Sequence, residues 1–251
     1  MGSVEAGIRS LQIRSRDDIL ECALRFNELA RRHGLRIQPW HNLGSAEPMT
    51  DADGQMLCTT AFGWTDDDTW WHGLARRRMS PLADLCRYQA EPFWGNAGRP
   101  LQSRFPTLHL AKTDVEWVWK MPGVRGFLVV PVHMPLGQAG FVAFITDDPA
   151  YDFEAVVDEL AVLSREFVTS YARISPPRER LGPCERLSDR EIDCLNWAFH
   201  GKTDMDIAEI TGRSYGTVRC YISSAANKLG TVNRAQTLAK AAALGYFAFK
   251  A

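Results

Sequence analysis

The sequence predicts two domains of different class. The front is an α+β domain, an α-β-α sandwich with an antiparallel sheet between helix layers, and the tail is an all-α array of four short helices. Three observations carry this reading. Two apolar runs, GFLVVPVH from Gly126 and AGFVAFIT from Ala139, flank a Pro135-Leu136-Gly137 turn and read as paired strands. Helical periodicities stand on both sides of them without a strand-helix repeat. Between Ile174 and Arg186 the chain runs through ISPPRERLGPCER, which is proline-rich, charged and aperiodic, as a linker is. The expected divisions are 1–173, a linker over 174–186, and 187–251.

In chain order, Ser15 is placed to cap a helix from Arg16 to His33, with Ile19, Leu20, Ala23, Phe26 and Ala30 as its apolar stripe and Gly34 as its stop. Leu35–Trp40 and Gln55–Phe62 read as strands joined by a long polar loop that ends in Asp53-Gly54. Asp66 to Asp68, Trp70-Trp71 and Arg76 to Arg78 follow in an order that suits a helix with acids at its N-terminus and arginines at its C-terminus. A further helix is expected from Pro81, ended by Pro92-Phe93-Trp94, with loop from Gly95 to Thr107. Asp114–Met121 reads as a short helical piece, and Phe153–Tyr171 as a long amphipathic helix burying Val156, Val157, Leu160, Leu163 and Phe167.

The tail opens with Ser188 as N-cap and Glu191 three residues on, a capping box, and Gly201 ends that helix. Thr203 caps a second helix, Asp204 to Ile210, which Gly212 breaks. A third runs from Tyr215 to Leu229 with Val218, Ile222, Ala225 and Leu229 on one face, completing a helix-turn-helix pattern. Its other face carries Thr217, Arg219, Ser223, Asn227 and Lys228, side chains able to reach base edges or phosphates; Lys202, Ser214 and Tyr215 lie around the turn. The last helix, Arg234 to Leu244, is mostly alanine, and its smooth surface with Leu238 and Ala242 suits packing against a second copy.

Composition excludes several classes. With 45% hydrophobic and 24% charged residues the chain is globular, and its net charge of −1 conceals an asymmetry. From Arg186 on there are nine Lys and Arg against six Asp and Glu, against 20 and 24 in the remainder. The six cysteines show no C-x-x-C spacing, so neither a disulfide framework nor a metal site is expected. No apolar run is long enough to span a membrane and no leader is visible, which makes the cytoplasm the default. The six histidines form no paired-ligand motif and there is no G-x-S-x-G or phosphate-cradling loop, so no catalytic residue and no cofactor are assigned.

Aromatics crowd the stretch from Phe62 to Trp94, namely Phe62, Trp64, Trp70, Trp71, Phe93 and Trp94. Rings that exclude water while an indole N–H fixes orientation are what a small amphipathic ligand needs.

The tail resembles the LuxR-type regulators. The spacing of Glu191, Leu195 and Gly201, the T-V at Thr217-Val218, the K-L at Lys228-Leu229 and the N-R at Asn233-Arg234 all match that family's pattern. The resemblance implies a homodimer on a double-stranded DNA operator, and an acyl-homoserine-lactone-binding domain in front of the DNA-binding one. In the front, Trp71 falls on the family's aromatic, Ser80-Pro81 on its Asp-Pro, Trp94 near its second Trp and Gly126 on the glycine that opens a strand. Asp67 stands where the first Trp is expected, with Trp64 and Trp70 nearby. Ser80 replaces the aspartate that accepts the ligand's amide N–H, and Asp84, one helical turn on, could reach the same place. The implied pocket is Phe62, Trp64, Trp70, Trp71, Ser80, Asp84 and Trp94, for a ligand less dependent on its amide than a lactone. A ligand-independent DNA binder is the alternative; a response regulator would need an alternating strand-helix front.

Overall fold

The chain divides into two compact units, Met1–Met134 with Gln138–Pro176, and Pro135–Gly137 with Pro177–Ala251. The computed structural model describes residues 2–44, 47–65, 81–107, 110–111, 113, 115–174 and 186–247.

The first unit is built on a four-stranded antiparallel sheet in the order β1 (Arg36–Trp40), β4 (Ala139–Thr146), β3 (Gly126–His133), β2 (Phe93–Asn96). β3 and β4 are buried along nearly their whole length, which is why both read as continuous apolar runs rather than alternating ones. Proline is tolerated in the sheet where no ladder bond is lost. Pro39 is on an edge strand, and Pro131 lies beyond Val129, the last β3 residue that β2 reaches.

Side chains alternate across this sheet. One face carries Ile37, Phe144, Leu128 and Trp94, in register across the four strands. It is covered by α2 (Asp18–Arg32) and α5 (Val157–Ile174), with Phe26 of α2 set edge-on to Phe144 at 6.0 Å and against Phe167 of α5 at 5.0 Å. The other face carries Gln38, Ala143, Val129 and Phe93, with Phe127 one pleat along stacked on Trp119. Helix α1 (Gly2–Ser10), which the sequence reading leaves out, packs on α5 where Gly7 leaves Leu163 just enough room.

Three expectations are corrected. Helix α2 begins at Asp18, because the Asp18 carboxylate accepts from the Arg14 and Ser15 amides and closes the preceding turn in place of the Ser15 hydroxyl. The segment expected as a strand over Gln55–Phe62 holds the short helix α3 (Leu57–Thr60) instead. Asp51 Oδ1 accepts from the amides of Asp53 and Gln55, Thr50 pairs with Met56, and the Thr59 and Thr60 hydroxyls bond back to Met56 O, so the chain coils instead of extending. Strand β2 falls where a helix end and a loop are expected. Four residues buried on both sides, with a glycine among them, carry no periodicity to read.

Helix α4 (Pro81–Tyr88) starts at Pro81 as expected, and the Asp114–Met121 piece reduces to a 3-10 turn over Val118–Lys120. The helix expected around Trp70 and Trp71 lies outside the described residues.

Gly140 sets the approach of β1 to β4. A Cβ there would stand 2.3 Å from Trp40 O and 3.0 Å from the His41 backbone, which cannot swing aside as a side chain would. Gly140→Ala is expected to cost about 1–3 kcal/mol or more by forcing the strands apart. A denaturant titration of the Trp40 and Trp64 environment reads the loss, and an unchanged midpoint would mean that β1 is free to shift.

The second unit holds α6 (Asp189–Phe199), α7 (Asp204–Thr211), α8 (Tyr215–Leu229) and α9 (Arg234–Ala243). Leu187, Cys194, Leu195, Ile207, Val218, Ile222, Ala225, Leu229 and Ala241 form its core. Gly212 and Gly230 end α7 and α8 in the left-handed conformation that favours glycine, at φ 64° and 60°.

Candidate functional site

The two helices on either side of the turn Gly212–Ser214, α7 and α8, are both capped at their N-termini. Thr203 and Asp206 form a reciprocal capping box at the start of α7, and Ser214 caps α8 by accepting from the Thr217 amide at 3.1 Å. The Ser214 and Thr217 hydroxyls also bond each other at 2.8 Å. Of the residues expected to face DNA, Tyr215, Arg219, Ser223 and Asn227 are exposed and follow one another along the outer side of α8. Their spacing is four residues throughout, so they form a single stripe that starts beside the buried side of Val218, Ile222, Ala225 and Leu229 and winds away from it toward the opposite side. Cys220 is exposed beside Arg219, and Lys202 is exposed just ahead of the Thr203 cap.

Lys228 is placed differently from the sequence expectation. Its ammonium lies 2.8 Å from Glu191 Oε2, and its side chain is only 26% exposed, so it buttresses the domain instead of reaching for a phosphate. Glu191 is the centre of this cluster, with its side chain 3% exposed. It accepts from the Ser188 amide at 2.7 Å, the Ser188 hydroxyl at 2.9 Å and the Ser224 hydroxyl at 2.6 Å besides Lys228. Burial alone would raise its pKa, but the bonds from Lys228, Ser224 and Ser188 outweigh it and hold the carboxyl at about 2. The carboxylate thus locks α8 against the start of α6. Ser224 was missed in the sequence because a serine in the middle of a helix has no visible partner.

Leu238 and Ala242, expected at a subunit contact, are half-buried against the unit's own core. The exposed side of α9 carries Ala235, Gln236 and Ala239 instead. At its start Asn233 caps the helix by accepting from the Gln236 amide at 2.9 Å. Arg234 binds Asp204 and donates to Lys202 O at 2.8 Å, and Lys240 bonds Leu229 O, so α9 is fastened both to the start of α7 and to the end of α8.

The aromatic stretch is split between sites. Trp70, Trp71 and Ser80 lie outside the described residues, as does the side chain of Asp84, although its backbone belongs to α4. Phe62 is buried and set edge-on to Phe167 at 6.2 Å. Trp64 donates its indole N–H to Ile37 O at 2.7 Å, and its ring lies under the Arg36 guanidinium at 3.9 Å, sealing the β1 edge. Trp94 points to the α5 side of the sheet, where it stands between a groove of about 170 Å³ lined by Val157, Ala161 and Val162 and a second of about 160 Å³ lined by Tyr151 and Phe153. Its indole N–H is already given to Gln102 Oε1 at 2.8 Å. Trp94 is therefore on the opposite sheet face from Phe93, Val129 and Gln38, and its donor is engaged within the protein.

A polar side chain that the sequence reading passes over faces the other way. Gln38 is 4% exposed, and its Oε1 has no hydrogen-bond partner among the described residues. With Trp40, Met49, Leu57, Cys58 and Phe62 it lines a space of about 10 Å³. Its only signal in the sequence is a polar residue flanked by Ile37 and Pro39 in the strand RIQPW.

Residues 185–241 match the family described as bacterial regulatory proteins, luxR family. Over 187 residues, 71% of this chain and 70% of the other, the sequence is 31% identical to the transcriptional activator protein AhyR of Aeromonas hydrophila. The fold is similar to that of Escherichia coli SdiA, with a TM-score of 0.55 at 15% identity over 95% of this chain and 94% of that one. It is likewise similar to SdiA in complex with octanoyl-rac-glycerol, with a TM-score of 0.52 at 16% identity over 96% and 93% of the two chains.

Proposed function

This chain belongs to the LuxR family of bacterial regulatory proteins and is a DNA-binding transcriptional regulator; from that premise we propose that α8 reads its operator through the outer stripe Tyr215, Arg219, Ser223 and Asn227, as a cytoplasmic homodimer whose first unit binds a small amphiphile. The observation that carries the reading is the division of α8 into a buried side and this exposed polar side, on a helix whose N-terminus is capped and whose rear is locked by Glu191. A helix so held presents its outer side chains to the major groove in one orientation. No catalytic role is assigned to any residue.

The test is to select bound duplexes from a random pool and then repeat the selection with Arg219→Ala. An arginine that reads a guanine edge is worth about 1–3 kcal/mol of discrimination, so one or two positions of the selected site are expected to lose their preference. Identical preferences before and after would remove Arg219 from base recognition.

For the first unit, support comes from the sandwich shared with SdiA, which has been solved with octanoyl-rac-glycerol. A second reading, a regulator that needs no ligand, is favoured by one observation: Phe62, Trp64 and Trp94 are all engaged within the protein's own structure. Mass spectrometry of small molecules carried through purification separates the two.

A further inference from the structure

We propose that Gln38 is the polar anchor for the sensed molecule, and that this molecule must present a hydrogen-bond donor, a hydroxyl or an amide N–H, to the Gln38 carbonyl. The inference rests on the ligand-controlled reading above.

Gln38 sits on the edge strand β1 in register with Ala143 and Val129, and the space it lines runs along that edge, with Pro39 and Phe62, whose ring meets Phe167 of α5, also in its wall. Its neighbours in the small space are the rings of Trp40 and Phe62 and the side chains of Met49, Leu57 and Cys58, with Pro39 and Pro48 completing the wall. A glutamine at this depth is costly unless its oxygen is paired, because a buried acceptor that makes no bond forfeits the hydration it had in the unfolded chain. Apolar residues of the same length would fill the site without that cost. Other buried amides differ: Gln89 is paired at both ends, donating to Ser103 Oγ and Phe105 O at 3.0 Å and accepting from the Thr107 amide at 3.2 Å, whereas Asn96 donates to Tyr151 O at 3.0 Å and leaves its Oδ1 without a partner among the described residues. Gln38 leaves its oxygen unpaired beside a space, walled otherwise by apolar side chains, that admits one small polar group.

The chemistry sets the class of ligand. An oxygen acceptor among apolar walls selects a donor group carried on an apolar body, and rejects a compound of the same shape that can only accept. Trp94 cannot supply the complementary contact here, since it faces α5 and its N–H is taken by Gln102.

The experiment compares three probes that share an octanoyl chain: N-octanoyl-homoserine lactone with its amide N–H, monooctanoylglycerol with two hydroxyls, and methyl octanoate with no donor. Binding is read by calorimetry and thermal shift on the full-length wild type and on Gln38→Met, which keeps the length and removes the amide. The wild type is expected to bind at least one donor-bearing probe about tenfold or more tighter than methyl octanoate. In Gln38→Met that preference should vanish, while the protein without any probe melts about 2–4 °C higher. Equal binding of all three probes by the wild type, or a preference that survives in Gln38→Met, overturns the assignment and leaves the space as a niche for an enclosed water only. Absence of binding by any probe would instead remove the ligand-controlled reading, and this inference with it. The wild-type comparison stands even if the variant fails to fold.

Discussion

Glu191→Ala is expected to cost the second unit about 3–5 kcal/mol, enough to unfold a small helical array at moderate temperature. The loss is large because removing the carboxylate strands an ammonium and two hydroxyls that have been turned toward it: Lys228, Ser188 and Ser224. Replacing both charged partners with apolar side chains, as in Glu191→Leu with Lys228→Met, should recover much of the loss, since no buried charge is then left without a partner. The same cluster predicts an acid dependence. Its carboxyl titrates at about 2 in the folded protein against an ordinary value of 4.5, so the folded state holds the proton less tightly. The resulting stabilisation, on the order of 3 kcal/mol, is present above pH 4.5 and is lost as pH falls from there toward 2. Thermal melts of α-helical circular dichroism across that range, for wild type and Glu191→Gln, measure it. A wild type whose acid profile matches that of Glu191→Gln would show that the carboxylate contributes no such stability.

Phe167→Ala is expected to lower the stability of the first unit by about 3–5 kcal/mol, as truncation of a fully buried aromatic does. Phe167 is 0% exposed and touches Phe26 at 5.0 Å and Phe62 at 6.2 Å, so its ring joins α2, α5 and the chain after α3. The substitution also removes what holds Phe62 in place, on the wall of the space beside Gln38. Denaturant unfolding followed by tryptophan fluorescence should show the first transition moved to lower denaturant. A shift of less than about 1 kcal/mol would mean that α5 collapses into the gap and that the aromatic cluster is more plastic than its packing indicates.

The second unit was legible in the sequence almost residue by residue. Capping residues at Ser188, Thr203 and Ser214 and glycines at Gly212 and Gly230 act locally, and local signals survive in one dimension. What the sequence misassigned there was direction. Lys228 reads as an outward cation, but its partner Glu191 lies 37 residues away on another helix. In the first unit the long apolar strands β3 and β4 were plain, whereas β2 was too short to carry a period and α3 replaced an expected strand through side-chain bonds around Asp51 and Met56. The facing of Trp94 escaped for a related reason: in a strand, one residue of offset turns a side chain to the opposite face.

Arg234 ties the first turn of α9 to Asp204 and Lys202 at the front of α7, and Lys240 ties it to the end of α8. Helices joined in this way turn together, as a key turns with its bow. In a pair of copies joined through α9, the pitch and separation of the two reading helices would be set at the joint and could not be adjusted by bending between α9 and α8. Each base pair added between two half-sites turns the second by about 35° around the duplex, because a turn holds about 10–10.5 base pairs. A rigid pair cannot follow that rotation, so insertion of a single base pair at the operator's centre would be punished more severely than many a changed base within a half-site.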